Sequence, residues 1–325
     1  MNYNKLLVAA AFAGSVAVVS TAQAADLVRV ASAQRGGWDT TLVEFGYEAG
    51  IFEKHDLDLE ILWTSGGSET QQAVITGSID VALATGVLGV ISAWSIGAPL
   101  DIIGAAITGS PDLYWYVKAD SDIQSMADTD GATVAYSRPG SSTNIVSAKL
   151  VEAAGTNAEL VQTGGPAETL TQVMSGQIDV GWSAIPIGLD RVRSGEVRII
   201  ASGNDAPGVS EQVVRVHIAN RRFLQEKPDI LARFLAAYEE TLDWAYAEDE
   251  AARKWAEMNN VTVEEAIEIR DTLFSRDAVA LYPLRGMEAN VIDAVENGRL
   301  DEPLTDEQLA EMMAVAAELH GDTGD

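Results

Sequence analysis

Cysteine is absent from the 325 residues, and histidine occurs only three times. Without cysteine no disulfide braces the chain, no thiol carries a lipid anchor, and no thiolate serves as nucleophile or zinc ligand. His55 stands in a polar turn, His217 in a strand and His320 at the chain end, so no His/Cys/Asp set has metal-ligand spacing. Neither a Gly-x-Ser-x-Gly elbow nor a Gly-x-x-x-x-Gly-Lys-Ser/Thr loop occurs, which removes two common signals of enzymes. Basic residues are scarce as well: 21 Lys and Arg face 49 Asp and Glu, a formal charge of −28. Such a surface repels nucleic acid and anionic lipid, and suits saline water, where self-repulsion is screened. No metal and no cofactor is expected.

The chain also lacks a run of the roughly 20 apolar residues that a membrane span requires. What it has is a short apolar stretch, Leu6 to Val19, preceded by Lys5 and followed by Ala22-Gln23-Ala24. That is the pattern of a secretory signal peptide over residues 1–24, cleaved after Ala24 to leave a soluble exported protein. The remaining length is enough for two lobes with separate cores.

Beyond the signal, strand-like and helix-like runs alternate. Strands are predicted at Leu27–Ala33, Leu57–Trp63, Ile79–Ala84 and Leu100–Ile107, with helices at Thr40–Phe52, Glu69–Thr76 and Val87–Ile96. This is the order of an open α/β sheet. It restarts at Ala132–Tyr136, Asn144–Ala154, Glu168–Ser175, Ile178–Ser183 and Val197–Ala201. The restart is an internal repeat: an offset of 99 places Thr64, Gly66, Glu69, Thr70, Val74, Gly77, Ile79, Asp80 and Val81 on identical residues. From Lys227 onward the pattern is helical, with Pro228-Asp229 opening one amphipathic helix and Thr305-Asp-Glu-Gln308 forming a capping box before another. With no strand partner there, these helices are expected to wrap back onto a lobe.

Open α/β sheets bind ligands beyond the carboxyl ends of their strands, where helix N-termini present free N–H groups. The candidate binding residues therefore sit in paired loops. The first half offers Gln34, Arg35, Gly36, Gly37 and Trp38, then Ser65 and Gly66, then Thr85 and Gly86. The second half offers Tyr136, Arg138, the helix start Ser141-Ser142-Thr143 with Asn144, then Gly164, then Trp182. Arg35 and Arg138 could pair an anion, or equally a surface carboxylate. Trp38, Tyr136 and Trp182 could wall a pocket, and Trp182 could equally be core. Asp80 and Asp179 occupy equivalent positions in the repeat, where bonding to nearby backbone N–H groups is the expected role rather than acid–base work.

Four motifs carry a family resemblance: Gly50-Ile-Phe-Glu-Lys-His-Asp-Leu-Asp-Leu-Glu60, Gly77-Ser-Ile-Asp-Val81, Ala135-Tyr-Ser-Arg-Pro-Gly-Ser-Ser-Thr-Asn144 and Gly176-Gln-Ile-Asp-Val180. On them the chain resembles periplasmic substrate-binding proteins of ABC importers for sulfonates, taurine and nitrate, a family shared with proteins of thiamine-pyrimidine synthesis. The resemblance implies an α/β periplasmic binding protein fold of type II, with two lobes joined by crossovers near Asp112–Ala119 and Val213–Ala219. Residues 25–115 and 217–325 would form lobe one with the C-terminal helices, and residues 116–216 lobe two. It implies a non-enzymatic, monomeric periplasmic protein that captures a small anionic or zwitterionic solute and hands it to an inner-membrane ABC permease and its ATPase. It also carries ligand contacts onto the Gln34–Trp38 loop, Thr85, Gly86 and Ser141–Thr143. Asn144 stands where sulfonate-binding members often have histidine. Nitrate, bicarbonate, a carboxylate or a pyrimidine stay open as ligands, as do a signalling role and an enzyme on the same fold.

Overall fold

The apolar runs of the two halves fold into two sheets of matching strand order. In the computed structural model, which describes residues 25–321, the chain begins β1 (Asp26–Ala33), α1 (Trp38–Glu48), α2 (Ile51–Lys54), β2 (Leu57–Thr64) and α3 (Gly67–Ile75). It continues with β3 (Val81–Gly86), α4 (Val87–Ser95) and β4 (Leu100–Thr108). After a crossing come β5 (Leu113–Lys118), β6 (Thr133–Tyr136), α5 (Ser142–Ala154), β7 (Glu159–Gln162), α6 (Pro166–Met174), β8 (Gly181–Ala184), α7 (Leu189–Ser194) and β9 (Val197–Ser202). The chain then returns through β10 (Val213–Asn220) to α8 (Arg221–Glu226), α9 (Pro228–Ala247) and α10 (Glu250–Asn259). It ends with α11 (Val263–Leu273), α12 (Met287–Glu296) and α13 (Asp306–Leu319). The signal-peptide reading of residues 1–24 and the last residues, 322–325, lie outside the described part.

The first sheet has the order β2-β1-β3-β10-β4, with β1 parallel to β2 and β3, and β10 antiparallel to both its neighbours. In the second lobe β5 runs antiparallel between β8 and β9, and β6 pairs parallel with β7. A bridge between Val134 and Val180 joins those two pieces. Followed through that bridge, the second order is β7-β6-β8-β5-β9, the same plan as the first. In both sheets the antiparallel strand is the first one after a crossing.

The repeat is physical as well as textual. Helix α6 starts and ends 99 residues after α3. The Thr64–Thr70 hydroxyl pair at 2.6 Å recurs as Thr163–Thr169 at 2.6 Å. Asp80 accepts the Arg29 backbone N–H at 3.0 Å, and Asp179 accepts that of Thr133 at 2.9 Å. Both aspartates thus pin a strand start, as expected from sequence.

The crossings fall beside the expected segments. Leu113–Lys118 and Val213–Asn220 are buried strands, because their apolar residues pair into the two sheets. The chain changes sheet instead at residues 109–112 and 203–212, which hold the glycine and polar residues. These two segments lie against each other: the Gly109 N–H donates to the Gln212 carbonyl at 2.9 Å, and the Ser110 N–H to Asn204 Oδ1 at 2.7 Å. A side chain on Gly203 would sit 2.1 Å from the Ser110 carbonyl, so glycine is what permits this approach.

The C-terminal helices return to the first lobe, as their lack of strands implied. Helix α9 packs on α1 and α2, and α13 on β4. Trp38, Tyr246 and Trp255 form an edge-to-face cluster between α1 and these helices. In the second lobe Trp115, Val134, Ile145, Val146, Val180 and Trp182 are buried. The lobes touch: the Gly89 N–H donates to the Gly140 carbonyl at 3.1 Å, Ser68 Oγ reaches the Pro139 carbonyl at 3.3 Å, and Lys149 pairs with Asp293 at 2.7 Å.

Candidate functional site

Between the lobes lies a cavity of about 40 Å³, room for roughly three waters by the usual 10–15 Å³ each. Its walls come from both sheets at the carboxyl ends of their strands. Ala33 ends β1 and Gln34 follows it, Ala84 and Gly86 lie in the last half of β3, Ser137 follows β6, Trp182 lies in β8, and Leu113 opens β5. Four helices begin here: Thr40 lies in the first turn of α1, Gly67 starts α3, Gly86 caps α4, and Ser141-Ser142-Thr143 open α5. Each such start carries about half a positive charge on unpaired N–H groups.

The backbone around the cavity is held in unusual shape. Among the described residues, four non-glycines have positive φ, and two of them, Gln34 (φ 50°) and Ala84 (φ 54°), line the cavity. Such conformations cost of order 1–3 kcal/mol and persist where surroundings enforce them. For Ala84 the enforcing group is His217, whose Nδ1 accepts the Ala84 N–H at 3.3 Å. The α5 loop is braced by hydroxyls: Ser137 and Ser141 each lie 2.9 Å from Thr143 Oγ1, and Ser141 Oγ caps the Asn144 N–H.

At the cavity wall sits a buried ion triad. Arg215, on β10, donates Nη1–H to Asp39 Oδ2 at 2.6 Å and Nη2–H to both Asp112 oxygens at 2.6 Å. All three side chains are less than a tenth exposed. Burial raises the Asp39 carboxyl above its usual range; Arg215 opposes the shift and Asp112 adds to it. Burial works against the Arg215 charge too, but the Asp112 and Asp39 carboxylates outweigh it, and the guanidinium stands above its ordinary value. The surroundings of the triad thus press against the negative charge of Asp39 and favour the positive charge of Arg215. Two buried donors at the cavity have no partner, Arg215 Nε–H and Trp182 Nε1–H.

The residues singled out from sequence separate into three groups. Gln34, Gly66, Gly86, Ser141, Ser142, Thr143 and Trp182 line the cavity together. Ser65 and Arg138 meet at the rim, with Arg138 Nη2 donating to Ser65 Oγ at 3.0 Å and Arg138 paired to Glu69. The remainder face elsewhere. Arg35 is exposed and held by Glu44, with its guanidinium over Trp63. The Gly36 carbonyl is turned to Trp255 Nε1, and Gly37 caps α1. Trp38 is fully buried and bonds Tyr246, so it is core. Thr85 donates to the Val216 carbonyl within the first lobe. Asn144 Oδ1 accepts from the Gly140 N–H and from Arg299 behind the loop. Tyr136 is half-buried in β6, and the Gly164 N–H bonds the Ser137 carbonyl; neither is among the lining residues.

Sequence reasoning missed Asp39, Asp112, Leu113 and Arg215. One signal existed: Arg215 is a lone charge inside the apolar run Val213–Ala219, and a charge buried in a strand needs partners.

A family model described as NMT1/THI5 like matches residues 41–252. A Brucella abortus (strain 2308) protein, named only as a candidate binding protein, is 24% identical over 280 residues, covering 82% of this chain and 85% of its own. Among solved structures, the periplasmic aliphatic sulphonate binding protein SsuA from Escherichia coli superposes with a TM-score of 0.66 at 18% identity, over 87% of this chain and 91% of its own. The periplasmic nitrate-binding protein NrtA from Synechocystis PCC 6803 gives 0.69 at 14% identity, over 91% and 87%. The desulfurization enzyme DSZB gives 0.63 at 16%, over 91% and 99%. At these identities the likeness carries the fold, which is that of periplasmic binding proteins.

Proposed function

The chain belongs to the NMT1/THI5-like family, and from that premise we propose that it is the solute-capturing component of an ABC importer. In this reading it works in the periplasm, closes its two lobes on a small anionic or zwitterionic solute, and delivers it to a membrane permease powered by a separate ATPase. A sulfonate or taurine-like molecule is the first choice, with nitrate, bicarbonate, a carboxylate or a pyrimidine as alternatives. The observation that carries the reading is the convergence of four helix starts and two unpartnered buried N–H donors on one cavity between the lobes. Those donors favour an anion's oxygens, and unpaired buried N–H groups are unfavourable until something accepts from them.

Capture is favoured over catalysis because the hydroxyls of Thr40, Ser137, Ser141 and Thr143 are bonded to each other or to backbone carbonyls, and no imidazole is among the described lining residues. An importer component is favoured over a signalling receptor because structural neighbours from Methylobacillus flagellatus and Staphylococcus aureus are described as parts of an ABC transporter and of an ABC-type import system.

The test is a thermal-shift screen of the purified protein against ethanesulfonate, taurine, nitrate, bicarbonate, formate and a hydroxymethylpyrimidine. A solute bound only by the folded protein adds about 2.7 kcal/mol of stability at a hundred times its Kd. One of these solutes should raise the melting temperature by several degrees. Melting temperatures unmoved by all of them at millimolar concentration would defeat the proposal.

A further inference from the structure

Arg215 is held on two sides and unbonded on the third. Nη1 is spent on Asp39 and Nη2 on Asp112, whereas Nε–H, on a residue only 7% exposed, has no acceptor. Buried polar groups are nearly always bonded, so an orphan donor at a cavity wall marks the place of an absent acceptor. Trp182, 1% exposed, lines the same cavity from the other lobe and carries a second orphan N–H. The triad also spans the fold: Asp39 belongs to α1 and Arg215 to β10 of the first lobe, while Asp112 ends the first crossing.

The charge inventory is equally specific. Among the described residues, Asp112 and Arg215 are the only charged ones lining the cavity, and Asp39 stands behind them. One cation therefore faces two carboxylates. Arg35 and Arg138 are turned to Glu44 and Glu69, so neither supplies a spare positive charge. Helix starts and N–H dipoles must balance whatever negative charge enters, and in a low-dielectric cavity each added charge also meets the two aspartates.

We propose that Arg215 reads the head of the captured solute through its free Nε–H, and that the Asp39–Arg215–Asp112 triad limits that head to a single negative charge. This rests on the capture reading above and narrows it to monoanions and zwitterions. A sulfonate, carboxylate or nitrate head meets the limit, and a dianion such as sulfate does not. The upward pressure on the Asp39 carboxyl agrees, because the triad already resists its second negative charge.

The experiment is calorimetric titration of wild type, Asp39→Asn, Arg215→Lys and Trp182→Phe with ethanesulfonate, taurine, nitrate and sulfate, with melting curves of each free protein. Wild type should bind at least one of the first three and should bind sulfate at least a hundredfold more weakly. Asp39→Asn, which removes one opposing charge and keeps an acceptor for Nη1, should tighten the monoanion at least threefold. A residue with a merely structural role would give weakened or unchanged binding there. Arg215→Lys should lose at least tenfold. Should that variant not fold, Asp39→Asn and Trp182→Phe still decide. Trp182→Phe should lose about tenfold in affinity, and the melting curve of the free variant measures separately the packing lost with the larger ring. If wild type binds a monoanion but Asp39→Asn does not tighten it, or if sulfate binds as well, the assignment to Arg215 and its triad is overturned and capture stands. If wild type binds none of the four, and neither bicarbonate nor formate in the thermal-shift screen, the anionic capture reading falls and this inference with it.

Discussion

His217 links core chemistry to the cavity. The ring is 2% exposed, lies edge-on to Tyr238 with centroids 5.2 Å apart, and must be neutral at Nδ1 to accept the Ala84 N–H. Burial, with a smaller push from His320, lowers its pKa to about 3, against about 6.5 in the unfolded chain. Between those values the unfolded state binds a proton that the native state refuses, so stability falls as pH falls. The contribution is complete above pH 6.5 and is lost progressively down to pH 3, at about 1.4 kcal/mol per pH unit. From pH 7 to 5 the wild type should therefore lose about 2 kcal/mol from this residue. His217→Asn, which keeps a neutral acceptor, should be less stable at pH 7 but should lack that slope. Urea unfolding at both pH values measures it, and parallel losses in the two proteins would refute the argument.

At the scale of elements, the repeated aspartates separate folding from binding. Asp80 holds the Arg29 N–H and its guanidinium, in the first half of β1 and away from Ala33 and Gln34, which line the cavity. Four residues of strand, roughly 13 Å at 3.3 Å each, lie between. Asp80→Ala should thus lower unfolding free energy by about 1–3 kcal/mol, the usual penalty for stranding a bonded charged group, while shifting solute affinity less than twofold. Denaturant unfolding beside calorimetric titration checks both halves, and a large affinity loss would mean that strand ends transmit strain to the site. The elements were largely legible because they obey local rules. Pro228 opens α9, Thr305 caps α13, and the offset of 99 foretold that α6 would copy α3. The site was less legible because side-chain direction is set by tertiary packing. Trp38 follows two glycines and reads as a pocket wall, yet α1 turns it into the core. Arg35 reads as an anion binder, yet Glu44 on the same helix claims it. Arg215 is visible as a misplaced charge, but its partners lie 176 and 103 residues away, beyond any local pattern. For the same reason β5 and β10 read as crossings: their place in each sheet depends on strands supplied from elsewhere.

For the molecule as a whole, the decisive variable is the distance between lobes. Two thin segments, 109–112 and 203–212, carry the chain across, and among the described residues cleft surface and the Lys149–Asp293, Arg193–Glu265 and Arg299–Asn144 links add to the contact. Two α/β bodies joined so narrowly can hinge, and a solute that bonds both favours the closed arrangement by its differential affinity. Gly86 lies where closure is tightest. Its φ of −64° and ψ of 126° suit any residue, so an alanine there leaves the first lobe unstrained. Its Cβ, however, would stand 2.5 Å from the Gly140 carbonyl and 2.8 Å from Ser141 Cα, both in the opposite lobe. The clash exists only when the lobes meet. Gly86→Ala should therefore melt like the wild type in the absence of solute, bind a captured solute at least tenfold more weakly, and show no contraction in small-angle scattering when solute is added. Wild-type affinity with normal contraction in this variant would mean that the lobes close along a different path, and that the cavity between them is not what the solute occupies.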